Sequence, residues 1–566
     1  MTRRHAGRTG RNRRLAAGTA AMTSAALVLA ACSSGSTGGD GGGDRDGDGD
    51  TVALECAQDS EADAQFTAAE ATSLGILWTD WPDYPIKDSW QIFDEIENRT
   101  NVRLETTNIP FSDAEEKRGL LISAGDAPPL VPLIYTGDEQ QYAASGAVLP
   151  LSDYAEYMPN FQKYVEEWEL GEMVENLRQA DGKYYMTPGL QEVSVPVFTL
   201  LIRKDVFDEV GAPVPDTWDE LREGLRLIKE AYPDSRPLAD GFEGQSMLNY
   251  AAHAFGTVAG WGFGNGMFYD EQTDAFEYAP TTEGYKNMVE YFHGLVEDGL
   301  LDTESFTEQN DGMGTVQEKF ANEVVFAASG AAGTVQEFGS ALKAAQPDAE
   351  FEIVQLPPPG GDAGAVVEPR NFWNGFMITS EAADDPDLCT YIQFADWLYY
   401  NQDAREMLQW GIEGETYTKD ADGTITLNPE YKYESYNINT DEGSIDIKAD
   451  LGWANDVLAG STESRSLKES YNPEQFVDYL DVVTSTRTPR EPFPPAPLTE
   501  DELERASLMA TPLKDTVDTA TLQFILGQRD MSEWDDFVTQ LDGQGLPAYV
   551  ELINEAKDRF AENQGS

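Results

Sequence analysis

Phe198–Tyr232, FTLLIRKDVFDEVGAPVPDTWDELREGLRLIKEAY, is the stretch from which the fold is read. Val197–Ile202 is a short apolar run, dense in Val, Phe, Leu and Ile, and reads as a buried strand. Arg203-Lys204-Asp205 ends it, and Val206, Phe207 and Val210 continue at helical spacing up to Gly211, a natural C-cap. Pro213 and Pro215 forbid a continuous helix across the following residues. Thr217-Trp218-Asp219-Glu220 fits a capping box, and Leu221, Leu225, Ile228 and Tyr232 give the next helix one apolar side.

N-terminal to this stretch the same alternation recurs. Leu74–Thr79 reads as a strand, Ser89–Glu97 as a helix and Val102–Thr107 as a second strand. Ser112-x-x-Glu115 predicts a capped helix through Ile122, followed by Gly125 and a strand over Leu130–Tyr135. A short helix over Tyr142–Ser145 follows, ending at Gly146. Strands alternating with helices imply right-handed crossovers onto a mainly parallel sheet. Such sheets bind ligands beyond the C-terminal ends of their strands. The loops there are Asp80-Trp81-Pro82-Asp83-Tyr84 and Thr136-Gly137-Asp138-Glu139.

TLLIRKDVFDEVGAPVPDTWDEL resembles the segment of family 1 extracellular solute-binding proteins of bacterial ABC importers that leads from the first lobe into the second. GILWTDWPDYPIKDSWQIFDEIENRTNVRLE is similar to that family's first strand, ligand loop and helix. YAASGAVLPLSDY, DGKYYMTPG, EVVFAASGAAGT (residues 323–334), NFWNGFMITS (371–380), MLQWGIEGETYT (407–418) and the C-terminal ILGQRDMSEWDDFVTQLDGQGLPAYVELINEAKDRF extend the resemblance over nearly everything after Ser73. It implies an α/β, two-lobed periplasmic-binding-protein-like fold, with a βα sheet in each lobe and a hinge between them. The expected organisation is a signal peptide at 1–31, a lipid-anchored flexible tether at 32–66 and a first lobe at 67–198. A second lobe at 199–369 follows, then a return to the first at 370–410. A mainly helical C-terminal region at 411–566 is expected to pack on the second lobe and hinge. The chain would cross near Val195–Ile202 and again near Asn371–Ile378. Some oligosaccharide-binding relatives carry a calcium loop just after the TWDEL helix. Tyr232-Pro-Asp-Ser-Arg-Pro237 stands there instead, with too few ligands, and no metal is expected.

The chain has 566 residues, enough for two or three domains, and 40% hydrophobic with 11% aromatic residues indicate a folded protein. A net charge of −64 repels nucleic acid and anionic headgroups, so neither is expected as a direct partner. Arg3, Arg4, Arg8, Arg11, Arg13 and Arg14 precede a small, apolar run, Leu15–Ala31, which is short against the roughly twenty residues a bilayer span needs. The run ends in Leu-Ala-Ala-Cys32, which resembles a lipobox and implies cleavage before Cys32 and lipidation of its thiol. Both Sec and twin-arginine export stay open. Ser33–Asp50 is a Gly, Ser and Asp tether. Asp46, Asp48 and Asp50 lack the downstream Glu and apolar framing of a calcium loop. Flexible to Phe66, the tether would reach roughly 30 Å. Cys56 and Cys389 could pair, but Cys389 lies in an apolar helical pattern and reads as a buried free thiol.

The sequence has no G-x-S-x-G elbow, H-E-x-x-H, Walker loop or dinucleotide fingerprint, and no Cys/His metal spacing. His253 and His293 sit among apolar helix neighbours and read as structural. No catalytic residue and no cofactor are therefore expected. Trp81, Trp261, Phe263, Trp373, Trp410 and Tyr417 lie in or beside Gly- or Pro-containing segments, where an aromatic ring has little local packing and can face a sugar's C–H surface. The expected ligand-binding residues are Asp80, Trp81, Asp138, Trp261, Gly330, Trp373, Asn374, Trp410 and Tyr417. The function implied is a monomeric, lipid-anchored receptor on the extracytoplasmic face of the membrane. It would deliver a mono- or oligosaccharide to the permease and ATPase subunits of an ABC importer. A surface-anchored glycan-degrading enzyme, an adhesion lipoprotein, and a receptor for a peptide or polyamine are the alternatives.

Overall fold

The computed structural model describes residues 61–307, 312–433, 436 and 443–564. The expected signal peptide 1–31, Cys32, Asp46, Asp48, Asp50 and Cys56 lie outside these. Among the described residues no helix is long and apolar enough to cross a membrane. Nine strands build two sheets: β1 (Thr72–Asp80), β2 (Val102–Pro110), β3 (Leu130–Ile134), β4 (Thr187–Leu190), β5 (Thr199–Arg203), β6 (Leu238–Ala239), β7 (Ala327–Gly330), β8 (Ile353–Leu356) and β9 (Phe372–Ile378). The first sheet has the order β2-β1-β3-β9-β4, and the second β8-β5-β7-β6.

In the first sheet β1 runs parallel to β2 and β3, as the alternating strands and helices dictate, while β9 returns antiparallel to β3 and β4. The second sheet is mixed: β5 is antiparallel to both its neighbours and only β6–β7 is parallel. β5 is buried on both faces. Leu200 and Ile202 join the large core of the second lobe, and Leu201 joins a separate cluster with Phe320, Val325 and Phe338. A continuous apolar run rather than an alternating one is what such a strand requires.

The decisive stretch folds as its residues dictate. Helix Lys204–Val210 stops at Gly211, whose φ of 77° is the left-handed cap. Thr217 Oγ1 accepts from the Glu220 N–H and opens helix Trp218–Ala231, which buries Trp218, Leu221, Leu225 and Ile228. The Glu220 carboxylate reaches back one residue further than a capping box would take it, accepting from the Asp216 N–H at 2.8 Å.

Several expectations need correction. Ser112 caps nothing: Phe111–Asp113 is a 3-10 turn, and helix Ala114–Ala124 starts without a side-chain cap. The end of the expected tether is docked on the first lobe. Asp63 N–H donates to Asn160, Lys163 pairs with Asp63 at 2.6 Å, and Phe66 meets Phe394 edge-on. Cys389 is disulfide-bonded rather than a free thiol, with its partner outside the described residues.

The C-terminal region does not pack solely on the second lobe and hinge. Its first part, up to about residue 463, lies on the first lobe. There the Trp90 indole donates to the Ala449 carbonyl, Ile92 N–H to Leu451, and the Trp453 indole to Gln91. Buried Arg405 spans to the Leu458, Ala459 and Thr462 carbonyls. This part is also less helical than its sequence suggests, carrying the short strand pairs Tyr417–Lys419 with Ile425–Leu427 and Tyr431–Lys432 with Ile445–Asp446. Helix Glu474–Thr486 then covers the hinge, with Phe476, Tyr479, Leu480 and Val483 against Val195 and Ala332. Helices Glu500–Ile525, Trp534–Gly543 and Leu546–Gln564 complete the core of the second lobe.

The chain therefore crosses between the lobes a third time. Around Gln191 three segments lie side by side: Gln191 N–H donates to Asn371, Glu192 N–H to Glu463, and Glu463 N–H back to Leu190.

Candidate functional site

The loops at the C-terminal ends of β1 and β3 form one wall of a cleft. Asp80, at the end of β1, accepts from the Ile86 N–H and closes the loop that carries Trp81 and Tyr84. Those two rings stack at 5.6 Å with 14° between their planes, and Trp81 also stacks on Phe111 at 5.2 Å. Beyond β3, Asp138 accepts from the Tyr135 N–H and faces Arg118 at 3.5 Å. Burial raises its carboxyl above the ordinary value, and that N–H and the guanidinium oppose the shift.

β9 brings the return crossing against this wall. Between Ile134 and Pro132 the register with β9 shifts, so that Leu133, at φ 59°, is the extra residue of a bulge. Just past the bulge Tyr135 stands 46% exposed and meets Trp373 edge-on at 5.6 Å. Gly375 lies at the same irregularity, where a Cβ would come within 1.9 Å of the Thr187 carbonyl oxygen.

The Arg370 guanidinium sits over the Trp373 ring at 4.9 Å and donates to Glu368 at 2.9 Å. Glu368 also accepts from the Asn249 side chain at 3.1 Å. Asn249 in turn packs on Gly262, where any side chain would collide with its Oδ1. That contact seats the 3-10 turn Gly260–Phe263 and presents Trp261, 45% exposed, at the centre of a second aromatic group with Phe198 and Phe242.

Between these walls lies a cavity of about 260 Å³. It is lined by the hinge residues Gln191, Val195 and Val197, by Ala331–Gly333 of the second lobe, by Arg370 and Trp373 of the return crossing, and by Asp456, Glu463 and Lys468 of the third. The Asp456 carboxylate is held by the Tyr84 hydroxyl and by Lys448 at 2.9 Å, and Lys448 lies over the Tyr84 ring at 4.1 Å. Glu463 is held by the Tyr471 hydroxyl and by Lys468 at 3.4 Å.

Of the residues singled out from sequence, Trp373 lines this cavity, while Asp80, Trp81, Asp138 and Trp261 lie on the neighbouring loops and are not among its lining residues. Asn374 is buried behind Trp373, with its Oδ1 unpaired. Gly330 needs correction: it is buried, its missing Cβ makes room for Leu201 and Thr334, and the cavity begins one residue later. Trp410 and Tyr417 also need correction. Trp410 is wholly buried, donates to Ser470 at 3.0 Å and packs among Tyr417, Tyr433 and Tyr436. Tyr417 is buried beside it and donates to Glu406. Both rings fill the core that joins residues 411–463 to the first lobe.

Sequence reasoning left Tyr84, Tyr135, Arg370, Asp456, Glu463 and Lys468 out of the ligand-binding set. Tyr84 lies in the quoted loop after the first strand, Tyr135 ends the expected third strand and Arg370 adjoins a quoted motif, and an aromatic or basic residue at a strand end or crossing was the available signal. The last three carry no local signal, because only the third crossing brings them to the cleft. His253 is buried in helix Gln245–Ala254, away from this cavity, and burial holds its imidazole down at about 4. His293 faces the Ile525 carbonyl and Glu297. Among the described residues no three or more His, Cys, Asp or Glu side chains gather as a metal site would require.

Two α/β lobes joined by a multi-stranded hinge, with an aromatic cleft between them, define the solute-binding class of proteins. Residues 91–430, more than half of the chain, match the bacterial extracellular solute-binding protein family, and the chain belongs to it. Among curated relatives, the fructooligosaccharide ABC transporter substrate-binding protein of Streptococcus pneumoniae serotype 4 is 21% identical over 84% of this chain and 87% of its own length. The polygalacturonan/rhamnogalacturonan-binding protein of Bacillus subtilis strain 168 is 22% identical over 89% and 96%. Among solved structures, an alginate-binding protein without calcium ion superposes with a TM-score of 0.67 at 18% identity, covering 88% of this chain and all of the other. The Streptococcus pneumoniae substrate-binding protein in complex with kestose gives 0.62 at 20% identity, covering 87% and 100%.

Proposed function

We propose that this protein captures an oligosaccharide in the cleft and hands it to the permease and ATPase subunits of an ABC importer, acting as a monomer without catalytic turnover. The observation that carries the reading is a pair of open aromatic groups, Trp373 with Tyr135 at the cavity and Trp261 with Phe242 and Phe198, the last next to the lining residue Val197. Sugar rings present apolar C–H faces to such rings, while nearby carboxylates and amides take their hydroxyls. The relatives' names support a carbohydrate: one names a fructooligosaccharide, another polygalacturonan and rhamnogalacturonan. Closure about the hinge requires the solute to touch both walls, since only differential affinity shifts the equilibrium.

A panel of neutral and acidic tri- and tetrasaccharides, screened by thermal shift, tests this. A bound member at about a hundred times its dissociation constant stabilises the native state by roughly 2.7 kcal/mol. Trp261→Ala and Trp373→Ala should each abolish most of that rise and leave the ligand-free Tm nearly unchanged. Unaltered affinity in both variants would remove them from the site.

The finer placement, a family 1 lipoprotein anchored through Cys32 on the extracytoplasmic face, rests on the Leu-Ala-Ala-Cys32 motif and the quoted resemblances. Cys32→Ala should release the protein from membranes; firm retention of the variant would contradict anchoring there.

A further inference from the structure

We infer that the cleft takes an uncharged saccharide and rejects both uronates and cationic solutes, because the charges built into it are already paired with one another. This rests on the carbohydrate reading of the same cleft. The relevant cations are Arg370 and Lys468 in the lining, with Lys448 behind Asp456. Arg370 is spent on Glu368, Lys468 on Glu463 and Gln191, and Lys448 on Asp456. The side chains of Arg370 and Lys468 are only 19% and 7% exposed, whereas the Asp456 carboxylate is 49% exposed. The most open charge met by an entering solute is thus an acceptor suited to hydroxyl donors.

A uronate carboxylate would meet Asp456 head-on. To reach Arg370 it would have to displace Glu368, leaving that partly buried carboxylate without its hydrogen-bonded cation and with Arg490 as its remaining counter-charge, and breaking such a pair costs more than forming it gains. A cationic solute fares little better. Asp456 already holds the Lys448 ammonium and the Tyr84 hydroxyl, so an incoming amine competes with a cation in place. A hydroxyl-bearing ring needs no such exchange. It can stack on Trp373 and donate to the free lone pairs of Asp456, and the existing ion pairs stay intact.

Isothermal titration of the purified chain against maltotriose, kestose, xylotriose and mannotriose, trigalacturonate and trimannuronate, and spermidine decides the matter. The expected result is binding of at least one neutral trisaccharide, with an affinity that changes less than about twofold between 20 and 500 mM NaCl, since screening acts on charged ligands. Neither uronate nor spermidine should bind measurably. Glu368→Gln frees Arg370 of its counter-charge and should raise the ratio of trigalacturonate to neutral-sugar affinity about tenfold. Binding of a uronate or of spermidine in preference to every neutral sugar overturns the inference while leaving a working receptor. An unchanged ratio in Glu368→Gln overturns charge pairing as the source of the exclusion. If no saccharide of either kind binds, the carbohydrate reading itself fails, and the inference falls with it.

Discussion

Trp373 and Trp410 both stand near a glycine, Gly375 and Gly411, and in the sequence nothing separates them. In the fold, Trp373 meets the Tyr135 ring and the Arg370 guanidinium and stays half-open, while Trp410 is enclosed by three tyrosines and hydrogen-bonded to Ser470. Tyr433, Tyr436 and Ser470, which complete the enclosure of Trp410, lie more than twenty residues away, and local composition does not encode them. Trp410→Ala should therefore cost about 3–5 kcal/mol of ligand-free stability, as deletion of a buried tryptophan does, and leave the dissociation constant of any bound sugar unchanged. Urea denaturation and titration of the same variant check both halves. A loss of affinity with no loss of stability would return Trp410 to the site. Gly330 makes the same point for glycine: a small residue at a strand end suits a ligand approaching the backbone, yet here the space is taken by Leu201 and Thr334.

At the scale of elements, the best-read segments were those whose signals are local. β1 extends by two residues at its start and one at its end beyond the apolar run that predicted it. β5, helix Lys204–Val210 and helix Trp218–Ala231 have the expected order, cap and stop. Thr217→Ala removes the oxygen that accepts from Glu220 N–H, and should cost about 1 kcal/mol, read as a lower denaturation midpoint at unchanged slope. A loss well below this would mean that the Glu220–Asp216 bond alone holds the helix start. Ser112 shows where the same logic fails. Its Ser-x-x-Glu spacing is correct, but Pro110 and the 3-10 turn after it move the helix start past the serine. The stretch 411–463 was illegible for a different reason. Its short strands and turns bury aromatics against the first lobe rather than against each other, so its periodicity is weak, and the third crossing with its three cleft residues went unseen.

For the molecule as a whole, buried titratable groups respond to pH in opposite directions, the carboxyls of Asp396, Glu139 and Asp240 one way and the His253 imidazole the other. In the first lobe, Asp396 lies beneath the start of helix Pro159–Glu167, accepting from the Asn160 and Phe161 N–H groups and from the Asn160 side chain. Burial outweighs these donors and lifts its carboxyl to about 7, and Glu139 is lifted likewise to about 7. A carboxyl whose folded value is raised binds its proton more tightly in the native state. Its contribution is fully present below its ordinary value near 4 and is lost as pH rises through 7. His253 in the second lobe is held down at about 4, so its contribution is present above about 6.5 and lost as pH falls. Total stability mixes the two, and a neutral isostere separates them. Asp396→Asn has no proton to exchange, so its stability relative to wild type should improve by about 2–3 kcal/mol between pH 5 and pH 7.5, the integral of one proton over roughly two pH units. Urea midpoints of both proteins at the two pH values measure that difference directly. An equal gap at both would mean that Asp396 keeps an ordinary carboxylate value and that the helix N–H groups compensate its burial in full.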